Sequence, residues 1–315
     1  MTKTENNILL FSITLCWAAS YLFIKNLPEN FSSYAYLTMT CGIAALIMGA
    51  VFIKRLRMIK KSTLLKGLLL SVVLTVNLLT EKAGISLLDP SNASFLAAMT
   101  IIIVPLLQLF FHCRPSWNYV AGTAIIIIGL CVSSGFAVSG FYNKGSLYMV
   151  GTCISSAVYT IAVDKYAKEE DPLLICIVQM IFTALTGFFL WYREDPRTFF
   201  GIVYTRQLLS NLFILAFFAK AYAYIVLMFS QKYTDALSVT VIASTEPVIT
   251  LLLSLLLPAA YGGEHSLKLT AAAGACFIAI GAIVAGISFP RGNRKYKGHR
   301  KKIPFGKEKP CIQAE

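Results

Sequence analysis

Apolar stretches of about twenty residues recur along this chain, and each is long enough to cross the ~30 Å hydrocarbon core of a bilayer as a helix. Cutting the sequence at charge clusters and at Pro, Gly and Asn punctuation gives ten of them: 8–26, 34–53, 67–88, 92–111, 117–136, 146–167, 173–191, 209–229, 235–257 and 269–288. The expected fold class is an all-α integral membrane protein with ten transmembrane helices. Composition agrees: 57% of the 315 residues are hydrophobic and only 14% charged, where a soluble domain is nearer a quarter charged. The third span is the least regular, because Glu81 and Lys82 interrupt it.

The net charge of +13 raises the question of nucleic acid, and its placement answers it. Basic residues gather in the loop 54–66 and after Arg291, where a membrane protein keeps its cytoplasmic positive charge, so no nucleic-acid partner is expected. With the N-terminus inside, the inner segments hold twenty Lys and Arg against seven outside, and the remaining lysine, Lys220, lies inside a span. Both termini are therefore expected in the cytoplasm, in a multi-pass protein of the plasma membrane. Residues 8–26 read as a retained first span: Ala18-Ala19-Ser20 resembles a cleavage site, but Glu5 precedes the run and further spans follow. The tail 291–315 reads as basic and disordered. Eight cysteines without a C-x-x-C pair, and three scattered histidines, point to thiols packing as small apolar side chains and to no metal or cofactor.

The sequence also repeats. Gly122 and Gly129 in "AGTAIIIIG" match Gly274 and Gly281 in "AGACFIAIG", in the fifth and tenth spans. Pro105 and Pro247 sit inside the fourth and ninth. Two halves follow, residues 1–140 and 141–290. Five spans per half is an odd number, so the second half enters from the opposite face: two inverted five-helix repeats, an arrangement typical of secondary transporters.

On these residues the chain resembles the drug/metabolite transporter superfamily, specifically ten-span proteins of the EamA type. The carriers are "CWAASYLFIK", "FLAAMTIIIVPLL", "STEPVITLLLS" and "YGGEHSLKLTAAAGACFIAIGAIV", over roughly residues 8 to 288. In this comparison Val104 stands where the second half has Glu246. The resemblance implies transport of a small metabolite, commonly export of an amino acid or related compound. It also implies that the fifth and tenth spans mediate contact between halves or protomers, with monomer and homodimer both open.

Charges inside the spans are the candidate pathway. Glu246 is the twelfth of 23 residues in 235–257, and Lys220 the twelfth of 21 in 209–229. Equal depth on consecutive spans predicts a Lys220–Glu246 ion pair. Glu246 has three readings: structural partner of Lys220, contact for a cationic or zwitterionic substrate, or proton carrier, the coupling ion staying open. Glu81 is a candidate cavity residue, though with Lys82 it reads first as a helix-end charge, and Asp164 and Lys165 read likewise. Trp17, Tyr21, Tyr159, Tyr222 and Tyr224 are candidate pocket walls, with plain helix packing an equal reading. Pro247 removes a donor and strands the carbonyl of Ala243, which Ser244 and Thr245 are placed to serve, so Pro105 and Pro247 are candidate kinks or gates. Gly122, Gly129, Gly274 and Gly281 are candidate close-packing positions. The rival classes are an integral-membrane enzyme and a receptor. The chain has no D-x-x-x-D, H-x-x-x-x-D or Walker A motif, which argues against the enzyme.

Overall fold

In hydrocarbon a backbone cannot bond to water, so a spanning chain must satisfy its polar groups within each segment, and helices do so. The computed structural model of the chain describes residues 2–110, 116–133, 143–258 and 269–286, and among them helices, turns and short connections account for the whole path. His112, Cys113, Arg114, Glu264, His265, Lys268 and the tail 291–315 lie outside the described residues.

Among the described residues eight spans are long and apolar enough to cross a membrane. They are Lys3–Lys25, Ser33–Val51, Lys61–Leu87, Pro90–Gln108, Lys144–Glu169, Pro172–Glu194, Arg206–Gln231 and Ala236–Leu256. Two shorter apolar helices, Trp117–Ser133 and Leu269–Gly286, take the fifth and tenth places. The third span differs most from expectation. It starts at Lys61 and runs unbroken through Glu81 and Lys82, which lie inside the helix rather than at its end.

Side-chain caps mark several starts. Thr2 and Glu5 form a reciprocal capping box, and Ser32, Asn143 and Asp235 accept the backbone N–H of Ala35, Ser146 and Ser238. Each such cap holds about 1 kcal/mol of stability. The main core draws on the first three and the sixth to eighth spans, through Tyr36, Leu74, Met149, Ile175 and Met228. A second core joins the fourth, fifth, ninth and tenth through Phe95, Tyr119, Val241 and Ile278.

The fifth and tenth spans touch backbone to backbone. A Cβ on Gly122 would stand 2.5 Å from the carbonyl oxygen of Gly281, and one on Gly274 would stand 2.5 Å from that of Gly129. The order is reversed along the partner, so the two helices are antiparallel. It is also the same contact made twice, the first glycine of one pair against the second of the other. Equivalent helices of the two halves thus pack about a pseudo-twofold, as an inverted duplication requires.

At the face that holds the start of the first span, charges tie the halves together. Lys66 of the third span bridges Glu169 and Glu170 at 3.0 Å each, Thr63 donates to Glu170, and Arg55 reaches Asp171 at 3.5 Å. Hydrogen bonds from Ser62, Lys66 and Thr63 hold the Glu170 carboxyl down from the usual 4.5 to about 2.

A depressed folded-state value means that the contact stabilises above the unfolded value and is lost as pH falls through the folded one. Glu170→Gln should therefore lower the melting temperature at pH 7, and its difference from the parent should close between pH 4.5 and pH 2. Gly281→Val should cost about 1–3 kcal/mol, read as a lower melting temperature in detergent, because its side chain has to displace Ile126 or the Gly122 carbonyl.

Candidate functional site

The fourth and ninth spans are each interrupted near the middle. Helix Pro90–Ala97 ends at Ala98 and Thr100–Phe110 takes over; helix Ala236–Ala243 ends at Ser244 and Glu246–Leu256 takes over. One constant offset relates the two segments, pairing Asp89 with Asp235, Ala98 with Ser244 and Thr100 with Glu246. Tight turns carry the backbone across each break. Ile101 and Ile102 donate to the carbonyls of Ala98 and Met99, as Thr245 and Val248 do to Ile242 and Thr245.

This register corrects the sequence expectation in two ways. The counterpart of Glu246 is Thr100, not Val104, and Pro105 is not the partner of Pro247. Pro247 stands in the first turn of its half-helix, where its missing N–H is not needed, whereas Pro105 lies inside Thr100–Phe110, beyond the break. The hydroxyls of Ser244 and Thr245 serve the carbonyls of Val241 and Ile242, not that of Ala243.

Both breaks open onto one cavity of about 90 Å³. Trp17 and Tyr21 reach it from the first span, Asn77 and Glu81 from the third, Thr152, Ser156 and Tyr159 from the sixth, and Lys220 and Tyr224 from the eighth. The breaks contribute Ala97, Ala98, Thr100 and Ile101 on one side and Ala243, Ser244 and Glu246 on the other. Among the candidate walls Tyr222 stands apart: its hydroxyl pairs with that of Ser12 at 2.8 Å and does not line the cavity.

The charges do not pair as their depth suggests. Among the described residues the carboxylate within 4 Å of the Lys220 ammonium is Glu81, at 3.8 Å, and not Glu246. The cause is local. Leu215–Tyr222 is wound as a π-helix, which turns Lys220 away from the sequence a regular helix would follow and toward the third span. There its ammonium lies over the rings of Tyr36 and Tyr224, 5.3 and 5.7 Å from their centroids. Tyr224 in turn meets Trp17 and Tyr159 edge-on at 5.9 and 5.8 Å. Glu246 keeps no hydrogen-bond or ion-pair partner for its carboxylate among the described residues. Lys82, the neighbour of Glu81, is buried but turns along its own helix to Ser86.

The small polar residues Asn77, Thr100, Thr152, Ser156, Thr160 and Thr240 also line the cavity and carry no sequence signal on their own. Only Thr100 could have been found, by aligning the two aspartates that stand just before the half-helices.

A duplicated bundle of apolar helices, broken where a polar cavity forms, is the architecture of a membrane transporter. The EamA-like transporter family matches the chain twice, over residues 6–135 and 143–289, and the chain belongs to that family. A relative from Archaeoglobus fulgidus, described as an uncharacterized transporter, is 23% identical over 270 residues, covering 82% of this chain and 81% of its own length. A solved crystal structure superposes with a TM-score of 0.71 at 17% identity, covering 90% of this chain and 97% of that one, which supports the fold.

Replacing Lys220 tests the observed pairing. Lys220→Met should destabilise the protein by about 3 kcal/mol in a detergent melt, because Glu81 is left as a buried charge. The double variant Glu81→Gln with Lys220→Met should recover most of that loss.

Proposed function

We infer that the protein is a secondary transporter that exports a small metabolite, an amino acid or a related compound, by alternating access of its two inverted halves. The observation that carries this reading is the Glu246 carboxylate, which faces the central cavity without a protein partner. An unpaired charge at the middle of a span costs about 2.5–3.5 kcal/mol on insertion scales, so something in the working cycle offsets it. A positively charged group of the substrate does so when bound. A proton does so in its absence, which is the second reading the same observation favours.

The cavity, about 90 Å³, is small against the roughly 300–1,000 Å³ of ordinary ligand pockets, so a metabolite enters by displacement of the walls rather than by diffusion through an open pore. The halves are tied at one face by the Lys66–Glu169–Glu170 cluster and meet again at the glycine contacts of the fifth and tenth spans. Rocking about these contacts exposes the cavity to either side. The twenty-to-seven charge bias supports cytoplasmic termini in the plasma membrane. The partners are the solute and the lipid bilayer, with a coupling proton on the second reading, and both readings hold for a monomer or a homodimer.

Counterflow of labelled metabolites in proteoliposomes tests this function. The parent protein should exchange at least one small nitrogenous solute, and Glu246→Gln should slow that exchange by more than ten-fold. Where Glu246 also carries the proton, the pH dependence of transport disappears with it. Full exchange by Glu246→Gln with an unchanged pH profile sinks both roles.

A further inference from the structure

On the basis of the transport reading above, we propose that among amino acids and related compounds the cavity prefers a solute bearing one cationic amine and no carboxylate, an alkyl- or arylalkylammonium ion. The reason is a count of what the cavity walls have left to offer.

Glu81, Glu246 and Lys220 are the charged side chains that line the cavity. Lys220 is 3% exposed, within 3.8 Å of Glu81, and lies over two tyrosine rings, so its charge is already answered by the protein. Glu81 and Lys220 cancel. One negative charge remains, at Glu246, and it is matched by one positive charge on the solute.

Several hydrogen-bond donors of the walls are committed as well. The indole N–H of Trp17 goes to the carbonyl of Ala219, and the amide of Asn77 to Thr152 and Ser155. The hydroxyls of Thr100 and Ser244 go to the carbonyls of Ala97 and Val241. Tyr159 exchanges hydrogen bonds with Gln179. A broken helix often offers its free N–H groups to an anion. Here Ile101, Ile102 and Val248 donate to carbonyls of the turns, and Pro247 has no N–H to give.

A solute carboxylate would therefore meet an uncancelled Glu246 and mostly occupied donors. The hydroxyls of Tyr21, Ser156 and Tyr224 line the cavity too, but they are neutral and cannot balance that charge. An ammonium meets the opposite conditions: a free carboxylate and a wall of Trp17, Tyr159 and Tyr224, whose ring faces attract cations and whose bodies receive an alkyl or aryl tail.

Matched pairs test this on the purified full-length protein: isoamylamine against leucine, and phenethylamine against phenylalanine, with binding read by calorimetry and thermal shift. Each amine should bind at least ten-fold more tightly than its amino acid. Glu246→Gln should lose at least ten-fold in amine affinity, and Glu246→Asp should keep the preference. Equal or tighter binding of the amino acids overturns the inference, as does amine binding that survives Glu246→Gln or no amine binding by the folded protein. Because binding is read without transport, an amine that binds tightly but is not moved in proteoliposomes refutes the transport reading and leaves this one standing.

Discussion

Lys220 has to be answered largely by the protein, because an ammonium at mid-span is far from bulk water and lipid headgroups. Much of the central architecture follows from how it is answered. The π-helical turn aims it, Glu81 receives it, and the rings of Tyr36 and Tyr224 cover it. Tyr224 is held in turn by Trp17 and Tyr159, so the aromatic wall of the cavity is also the packing around a buried charge. Glu81 is occupied by this arrangement, and that leaves Glu246 as the acid available to a solute.

The two helix breaks solve a different problem with related means. A span that stops and restarts in hydrocarbon exposes carbonyls and N–H groups that lipid cannot satisfy. Tight turns absorb most of them, and the hydroxyls of Thr100, Ser244 and Thr245 take others. The thiol of Cys153, from the sixth span, donates to the carbonyl of Leu96 just before the first break. The broken segments are therefore stitched into the neighbouring spans. A movement of one half against the other has to carry these bonds along or exchange them.

The ten spans were legible in the sequence because hydrocarbon allows so few backbone solutions, and the glycine pairs were legible because close approach admits no side chain. Depth was legible too: Lys220, Glu246, Tyr21 and Trp17 reach one cavity. What depth could not supply was rotation about the helix axis. Pairing Lys220 with Glu246 assumes a regular eighth span, and nothing in "LAFFAKAY" announces the π-helix that turns it elsewhere. Tyr222 was misplaced by the same lack of rotational information, since it lies two residues from Lys220 and faces Ser12. The prolines misled differently. They are conspicuous in sequence, whereas the breaks themselves fall at Ala98 and Ser244, which share their distance from an aspartate at the helix start.

The glycine contact between the fifth and tenth spans has a consequence for the origin of such a chain. Gly122 on Gly281 and Gly129 on Gly274 are one interface met from both sides. Two copies of a single five-span half, inserted in opposite directions, would meet through the same pair of glycine contacts. The surface that joins the halves therefore needs no fused gene. Fusion frees each copy to diverge elsewhere, and the cavity records that divergence as a threonine on one side and a glutamate on the other.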